Sequence, residues 1–294
     1  VDHSIYLSNV RDQENCGTCW AFATTGVIEA NYNKYMSITD SKKKFNLSPQ
    51  DLVNCFNGST CDGYNSYLAI TNLVIPNGVM FDYYDQYDSG FTLRKKICQT
   101  GPRMKMVKSY EYCQYCSRTE FFDIFSRGPV AVSIDGEGNG YFQHYKGGVL
   151  TNVPCRKSNH AVVVAAYDPT QQVFTVRNSY GADWGESGNF RIKLNESDNT
   201  CNLLEIALRP VPQSVSYTLP PPIPAKCMKI YSQTNGGGSE VEVCKSMPQI
   251  PITLQSIRAN SAKGKYKLHK DIKGLWKQGM REIKVKRNGR KKND

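Results

Sequence analysis

Residues 13–22 combine the residue types of a nucleophilic site at the start of a predicted helix. Cys19 follows Thr18, a favoured helix N-cap, and apolar residues then recur at helical spacing: Trp20, Ala23, Val27 and Ala30. A thiol in the first turn lies at the positive end of the helix dipole, which favours the nucleophilic thiolate. Gln13 offers an amide donor to a developing oxyanion. A buried structural cysteine, or half of a disulfide, is the alternative for this stretch alone.

A histidine and an amide further along the chain supply partners for such a cysteine. His160 opens a predicted strand, and Asn178 ends the strand that returns after a turn at 168–172. With Tyr167 opposite Val173, the period-2 rule places His160 and Asn178 on one face at the open end of the hairpin. A histidine held by an amide oxygen is a general base with its orienting group. The other histidines are expected to be core or surface residues: His3, His144 and His269.

These residues resemble the papain family, the cathepsin L-like cysteine peptidases. The resemblance covers residues 2–212, in order and at the family's spacing. Besides Gln13, it is carried by CGTCWAF at 16–22, LSPQDLVNC at 47–55, GPVAV at 128–132, NHA at 159–161 and NSYGADWGESG at 178–188.

By this resemblance, Cys19 is the nucleophile and His160 the acid–base partner of a cysteine-type endopeptidase. Asn178 would orient the imidazole, and Gln13 with the Cys19 backbone N–H would form the oxyanion hole. The resemblance implies protein or peptide substrates, no cofactor and no metal, and no nucleic acid is expected as a partner.

The fold implied is α+β, a papain-like two-domain fold over residues 1–212 with a helical left domain and a β-barrel-like right domain. Composition places the helical half at about 1–115 and the β-rich half at 116–212. Cys19 would lie on one wall of the cleft between the halves, and His160 on the other.

Two tyrosines depart from the family pattern. Tyr180 stands where a tryptophan normally shields the histidine–asparagine hydrogen bond from water, and tyrosine covers less area. Tyr64 aligns with a glycine whose bare backbone normally pairs with the extended substrate. The Tyr64 ring must either swing clear of the cleft or narrow it. If the ring narrows the cleft, Tyr64→Gly should have a higher kcat/KM.

The resemblance also implies which residues bind substrate: Gly17, Gly63, Tyr64, Ser66, Ser133, Trp184 and Ile206. Ile206 would form the floor of the pocket for the second residue before the scissile bond, which favours an apolar side chain there. Glu205, one position earlier on a predicted strand, should point away. An alignment shifted by one residue would reverse this preference.

The chain has 11 cysteines, an odd number that suits five disulfides and one free catalytic thiol. The family pattern implies three pairs: Cys16–Cys61, Cys55–Cys98 and Cys155–Cys201. Cys113 and Cys116 could form a local disulfide, half of a metal knuckle or a redox motif. No second CxxC supports zinc, and no thioredoxin-like pattern supports a redox role, so a Cys113–Cys116 disulfide is expected.

Composition and processing signals are typical of a secreted hydrolase. N-glycosylation triplets begin at Asn46, Asn57 and Asn195. The chain carries no signal peptide, propeptide or membrane span, and its start matches the family's mature N-terminus. We expect a glycoprotein made as a zymogen, whose leader and N-terminal propeptide are cleaved, in an extracellular, lysosomal or vacuole-like compartment.

Past the matched region the composition changes. Residues 213–226 contain LPPPIP, which predicts a stiff linker. Residues 227–256 predict a small β-hairpin module around the turn sequence NGGG. A Cys227–Cys244 disulfide would set its register, in which three further pairs face each other: Met228 and Val243, Lys229 and Glu242, Ile230 and Val241.

The positive charge of the chain lies near its C-terminal end. Residues 213–294 carry 17 Lys and Arg against 5 Asp and Glu, a net +12, whereas the whole chain is at +11, which leaves −1 for residues 1–212. The basic tail at 257–294 is expected to bind an anionic glycan, a membrane surface or an acidic protein. A solvated extension, or one packed against the acidic enzyme, is the alternative.

Two functional classes follow from these features. The first is an active endopeptidase, favoured by the intact catalytic set. The second is a catalytically weak or inactive papain-fold binding or adhesion protein, which would use the altered cleft at Tyr64 and the basic tail. Labelling by an epoxide or vinyl-sulfone probe separates the two, because it needs a thiolate activated by a histidine.

Overall fold

The computed structural model describes residues 1–58, 60–137, 140–194 and 200–215, and the backbone of residues 228–231 and 240–243. The chain divides into two units, Val1–Thr218 and Leu219–Asp294. Within the described ranges, no helix combines the length and apolar character needed to span a membrane.

The first unit has helices mainly in its first half and strands mainly in its second, the α+β class predicted. The helices are α1 (Cys19–Tyr35), α2 (Pro49–Cys55), α3 (Ser66–Ala69), α4 (Ile75–Asn77), α5 (Ser89–Thr92) and α6 (Arg118–Arg127), with 3₁₀ turns at Ser4–Tyr6 and Ser41–Lys43 and a π-helical turn at Ile70–Val74. The strands are β1 (Val79–Met80), β2 (Arg103–Met104), β3 (Val107–Gln114), β4 (Val130–Ile134), β5 (Val149–Leu150), β6 (His160–Asp168), β7 (Val173–Arg177), β8 (Asn189–Lys193) and β9 (Ile206–Pro212).

Seven strands form one sheet in the order β3-β9-β4-β6-β7-β8-β5. Its neighbouring strands are antiparallel except β5 and β8, which are parallel. Because β3 belongs to this sheet, the β-rich half begins one strand before the boundary expected at residue 115. Composition did not show this, since β3 is an edge strand with several exposed polar positions.

Helix α1 lies at the centre of the first unit, with 14 of its 17 residues buried. It packs against α2 and α3 as well as β6 and β9. Small side chains at Ala21, Ala23 and Ala30 allow this close packing on several faces. The position of Cys19, at the first residue of α1, is therefore fixed relative to both the helices and the sheet.

Two apolar clusters hold these layers together. The first surrounds α1 and includes Trp20, Leu52 and Phe81. The second lies between α6 and the sheet and includes Phe121 and Phe174. Each half of the first unit therefore has its own core, and α1 packs on both the neighbouring helices and the sheet.

A buried ion pair fastens the N-terminal segment to α1. Arg11 Nη2 lies 3.0 Å from Glu29 Oε1, which also accepts the Leu47 backbone N–H at 2.7 Å. Arg11 Nη1 donates in turn to the Leu47 carbonyl at 2.6 Å. The Glu29 side chain is only 1% exposed, and the partners of Oε1 replace the water that this oxygen loses on folding, whereas Oε2 is buried without a hydrogen bond to the described residues.

In the second unit, the structure describes the backbone of a hairpin made of β10 (Met228–Tyr231) and β11 (Glu240–Val243). Its register pairs Met228 with Val243 and Ile230 with Val241, as predicted from the sequence. Cys227, Cys244, residues 216–226 of the linker and the basic tail lie outside the described residues.

Glu29→Ala should lower the free energy of unfolding by about 3–5 kcal/mol, because it leaves a largely buried arginine without its counter-charge. Asp123→Ala is the matched control. Asp123 also pairs with an arginine, Arg127, at 2.8 Å, but both side chains are exposed, so the loss should stay below about 1 kcal/mol. Urea unfolding measures both, and equal losses would contradict the importance of burial.

Candidate active site

Cys19 begins α1 and is the free cysteine of the described residues. Thr18 occupies the N-cap position as predicted, but its hydroxyl does not cap the first turn; it lies 2.6 Å from the Tyr87 hydroxyl instead. The expectation of a side-chain cap is therefore wrong. Because no side chain caps this turn, the Trp20 backbone N–H can interact with the Cys19 sulfur, and this interaction lowers the pKa of the thiol.

His160 begins β6, and the β6–β7 hairpin brings it to the site. Near the turn Tyr167 pairs with Phe174, one residue from its predicted partner. A β-bulge within β6 then adds one residue to that strand and shifts the register back. The open end thus has the predicted arrangement, with His160 beside Tyr180.

His160 and Asn178 are joined by a hydrogen bond. His160 Nε2 lies 2.8 Å from Asn178 Oδ1, and both residues are buried. The same oxygen accepts the Ser179 backbone N–H at 2.8 Å, which fixes the carboxamide. With Nε2 held in this way, Nδ1 is left for the hydrogen bond between His160 and Cys19.

Burial opposes ionisation of both partners, and their mutual interaction overcomes it. Burial alone would raise the pKa of the Cys19 thiol, but the hydrogen bond and charge of His160 lower it below its ordinary value. Burial alone would lower the pKa of His160, but the hydrogen bond and charge of Cys19, with the hydrogen bond to Asn178, raise it. The opposite shifts favour a thiolate–imidazolium pair.

Tyr180 covers one face of the imidazole. Its ring centroid lies 5.0 Å from that of His160, with 30° between the planes, and Trp184 packs edge-on against it at 5.5 Å. Burial, with the nearby Cys19 charge, raises the pKa of Tyr180 to about 12, so the ring stays neutral. A pocket of about 290 Å³ opens beside Tyr180 and Trp184.

Gln13 is buried, and its side chain is held at both ends. Its Oε1 accepts the Ser179 hydroxyl at 2.6 Å, and its Nε2 donates to the Cys16 carbonyl at 2.9 Å. A carboxamide nitrogen carries two hydrogens. The contact with the Cys16 carbonyl uses one of them.

Gly17 and Gly63 lie where two backbone segments nearly touch. The Gly17 N–H donates to the Cys61 carbonyl at 3.2 Å. A Cβ on Gly17 would lie 2.2 Å from that oxygen, so only glycine fits there. Gly63 has a φ of +87°, in the left-handed region that favours glycine. The close approach places the Cys61 loop against the segment that precedes Cys19.

The Tyr64 ring turns inward, toward Phe56 and Trp20, and does not take the orientation that would narrow the cleft. Its centroid lies 3.9 Å from the Phe56 ring and 5.2 Å from the Trp20 ring. Of the two arrangements considered from the sequence, the ring adopts the one that swings clear. Tyr64 therefore anchors its loop to the second residue of α1.

The residues predicted to line the main specificity pocket come from separate elements. Ser66 begins α3, and its hydroxyl donates to the Trp20 carbonyl at 3.2 Å. Ser133 lies on β4 opposite Ala161, the residue after His160. Ile206 begins β9, next to β4 in the sheet.

The direction of Glu205 relative to the pocket stays a prediction. Glu205 precedes β9, so strand alternation does not fix its direction, and its carboxylate accepts a hydrogen bond from the Ser158 hydroxyl at 3.0 Å. Ser158 lies two residues before His160. The apolar pocket floor expected at Ile206 also stays a prediction.

Four of the five expected disulfides lie in the described residues: Cys16–Cys61, Cys55–Cys98, Cys113–Cys116 and Cys155–Cys201. The first joins the segment before the nucleophile to the loop of Gly63. At Cys113 and Cys116, the local disulfide is the arrangement adopted. The fifth pair, Cys227–Cys244, remains a prediction.

Two residues that hold Gln13 were missed by the sequence reasoning. Ser179 contacts the Gln13 side chain, and the Tyr87 hydroxyl donates to the Gln13 carbonyl at 2.8 Å. Proximity to Asn178 is a weak hint for Ser179. Nothing distinguishes Tyr87 among the 18 tyrosines of the chain.

Comparisons with known proteins show the family of the chain. The sequence model of the papain family cysteine proteases matches residues 2–211. Ananain from Ananas comosus is 31% identical over 216 residues, which cover 71% of this chain and 59% of ananain. The chain thus spans less than two thirds of that relative.

Solved structures show the same similarity. The bromelain protease from Ananas comosus, in complex with the E64 inhibitor, has a TM-score of 0.63 at 27% identity and covers 72% of this chain and 98% of its own. The digestive procathepsin L 3 of Tenebrio molitor larval midgut has a TM-score of 0.61 at 28% identity. The match covers 71% of this chain and 68% of the procathepsin chain. The papain-like fold predicted from the sequence is therefore confirmed.

His160→Ala should remove the reactivity of Cys19 toward iodoacetamide at mildly acidic pH. In the wild type, the lowered pKa of Cys19 keeps a thiolate as the pH falls below the ordinary thiol range. Without His160, burial raises that pKa, and alkylation should require alkaline pH. Rates from about pH 5 to 8 test this, with the exposed His144→Ala as control. Identical profiles for the wild type and His160→Ala would contradict the ion pair.

Tyr64 is partly buried against the core, so Tyr64→Gly should lower the free energy of unfolding by about 2 kcal/mol, less than the cost of truncating a fully buried aromatic side chain. It should not raise kcat/KM, because the ring packs inward. Tyr64→Phe keeps the ring and is the control, with neither quantity changed. Chemical unfolding and peptide hydrolysis measure the two effects, and faster hydrolysis by the glycine variant would show that the ring obstructs substrate.

Proposed function

The chain belongs to the papain family of cysteine proteases, and we propose that it hydrolyses peptide bonds within polypeptides, with Cys19 as the nucleophile. The observation that carries the proposal is the arrangement of three side chains: Cys19 begins α1, His160 is its hydrogen-bond partner, and Asn178 holds His160. This arrangement lowers the pKa of Cys19 and raises that of His160. A thiolate beside an imidazolium supplies both the nucleophile and the proton donor that peptide cleavage needs.

In the first half of the reaction, the Cys19 thiolate attacks the scissile carbonyl carbon and forms a carbon–sulfur bond. The carbonyl oxygen becomes an oxyanion, stabilised by the second Nε2 hydrogen of Gln13 and the Cys19 backbone N–H. The His160 imidazolium gives its Nδ1 proton to the leaving nitrogen. The carbon–nitrogen bond then breaks, the amine product leaves, and a thioester remains.

In the second half, the neutral His160 removes a proton from a water molecule as that water attacks the thioester carbonyl. The same donors at Gln13 and Cys19 stabilise the second oxyanion. The carbon–sulfur bond breaks and releases the carboxylic acid product, and Cys19 returns as the thiolate beside a protonated His160.

Asn178 and Tyr180 serve this cycle through His160. The hydrogen bond from His160 Nε2 to Asn178 Oδ1 keeps the ring from rotating, so Nδ1 faces Cys19 in both protonation states. Tyr180 covers the ring and limits the access of water to that hydrogen bond. Both residues act on the lifetime and orientation of the imidazolium.

The proposal extends to substrate, compartment and processing. Proteins and peptides would bind along the backbone of Gly17 and Gly63, with the leaving side near Trp184. Four disulfides in the described residues support a secretory route, because such bonds persist in oxidising compartments. Similarity to a procathepsin supports a cleaved N-terminal propeptide.

An epoxide probe of the E64 type should label the wild-type protein at Cys19 and block its hydrolysis of a small peptide amide. Cys19→Ala should neither bind the probe covalently nor hydrolyse. His160→Ala should lower kcat/KM about 10²- to 10⁴-fold, the range for one acid–base group, whereas the exposed His144→Ala should keep the wild-type value.

Two outcomes contradict the proposal in different ways. Hydrolysis that persists in Cys19→Ala would mean that another group is the nucleophile. A folded wild-type protein that neither takes the probe nor cleaves peptides would favour the inactive papain-fold binding protein.

A further inference from the structure

The loop between β1 and α5 contacts the segment that carries Gln13. Tyr87, on this loop, donates its hydroxyl hydrogen to the Gln13 backbone carbonyl at 2.8 Å. The same phenol oxygen lies 2.6 Å from the Thr18 hydroxyl. Because a hydroxyl has one hydrogen to donate, Thr18 donates to Tyr87 and Tyr87 donates to Gln13.

Tyr87 is itself held in place. Its ring packs edge-on against Phe22 of α1, with centroids 4.8 Å apart. Burial raises the pKa of Tyr87 to about 12, so the hydroxyl keeps its hydrogen over the working range of a hydrolase. Gly90, three residues later, would place a Cβ 2.5 Å from the Gln13 carbonyl oxygen, so the loop approaches this closely because residue 90 is glycine.

The contacts of Gln13 come from both halves of the first unit. Ser179, on the sheet side, binds its backbone N–H at 2.8 Å and its side-chain oxygen at 2.6 Å. Tyr87, on the helical side, binds its backbone carbonyl. Within the described residues, no other hydrogen bond is made to that carbonyl. Gln13 is therefore clamped from two sides, and Tyr87 forms one of them.

We propose that Tyr87 is a positioning residue of the oxyanion hole, which holds Gln13 so that its free amide hydrogen and the Cys19 N–H converge on one oxygen. The inference rests on the proposed function, because an oxyanion forms only when Cys19 attacks a carbonyl. Such donors stabilise a transition state only if they are aimed in advance. A displaced Gln13 thus costs rate without disturbing the Cys19–His160 pair.

Tyr87→Phe tests the inference, since it removes one hydroxyl and keeps the ring against Phe22. It should lower kcat/KM for a peptide amide roughly 3- to 10-fold, the effect of one hydrogen bond, chiefly through kcat. A peptide aldehyde should bind more weakly by the same factor, because thiol addition places its oxygen in the same hole. Alkylation by iodoacetamide should keep its wild-type rate, because displacement at carbon forms no oxyanion.

Two further variants make the test specific. Gly90→Ala keeps the Tyr87 hydroxyl but inserts a methyl group 2.5 Å from the Gln13 carbonyl oxygen and 3.0 Å from the Tyr87 ring. It should therefore slow peptide hydrolysis and weaken aldehyde binding while alkylation keeps its wild-type rate. It decides the question if Tyr87→Phe does not fold. Tyr84→Phe is the matched control, because its hydroxyl interacts with Tyr83 on the same loop and it should change none of the three measurements.

The outcomes separate this inference from the proposed function. If the wild type is active and both test variants hydrolyse peptides and bind the aldehyde as it does, Tyr87 has no positioning role and the peptidase proposal stands. An equal fall in alkylation would also overturn the inference, because the effect would then lie on the ion pair. A wild type that does not hydrolyse peptides overturns both.

Discussion

Two ionisable side chains, buried together, are the constraint on which this structure depends. Cys19 and His160 are each less than a tenth exposed, and burial by itself opposes the charged form of either. The pKa of each shifts toward the charged form because the other lies within hydrogen-bond reach, where a poorly solvated site makes their attraction strong. The fold must therefore hold two side chains from different halves at a separation that a small displacement would spoil.

One N-terminal segment, residues 8–13, helps to meet this requirement because it binds both halves of the first unit. Arg11 binds Glu29 of the central helix, while the Gln13 backbone N–H binds the Ser179 carbonyl, next to the amide of Asn178. Arg177, which precedes that amide, donates to the carbonyl of Ser8 in the same segment at 2.8 Å. These polar contacts have direction as well as strength, so they fix orientation where apolar packing fixes only proximity.

Tyrosines complete the site in three different ways. Tyr180 covers the imidazole, Tyr64 packs its loop on Trp20 and Phe56, and the Tyr87 hydroxyl holds the backbone beside the nucleophile. A tyrosine ring provides apolar area, and its hydroxyl provides a hydrogen bond at the far end. Tyrosine can therefore cover a ring, hold a loop or bind a backbone carbonyl, depending on whether its ring or its hydroxyl makes the contact.

The sequence by itself determined the α+β class, the cysteine at a helix start and the histidine on a hairpin, because periodicity and turn residues are local signals. Tertiary structure decided that β3 joins the main sheet, that Glu205 binds Ser158, and that the Tyr64 ring turns inward. It also placed the bulge in β6 that restores the register at His160. These choices depend on contacts between residues far apart in the chain, where packing and unpaired polar groups select one partner among several that the local sequence allows.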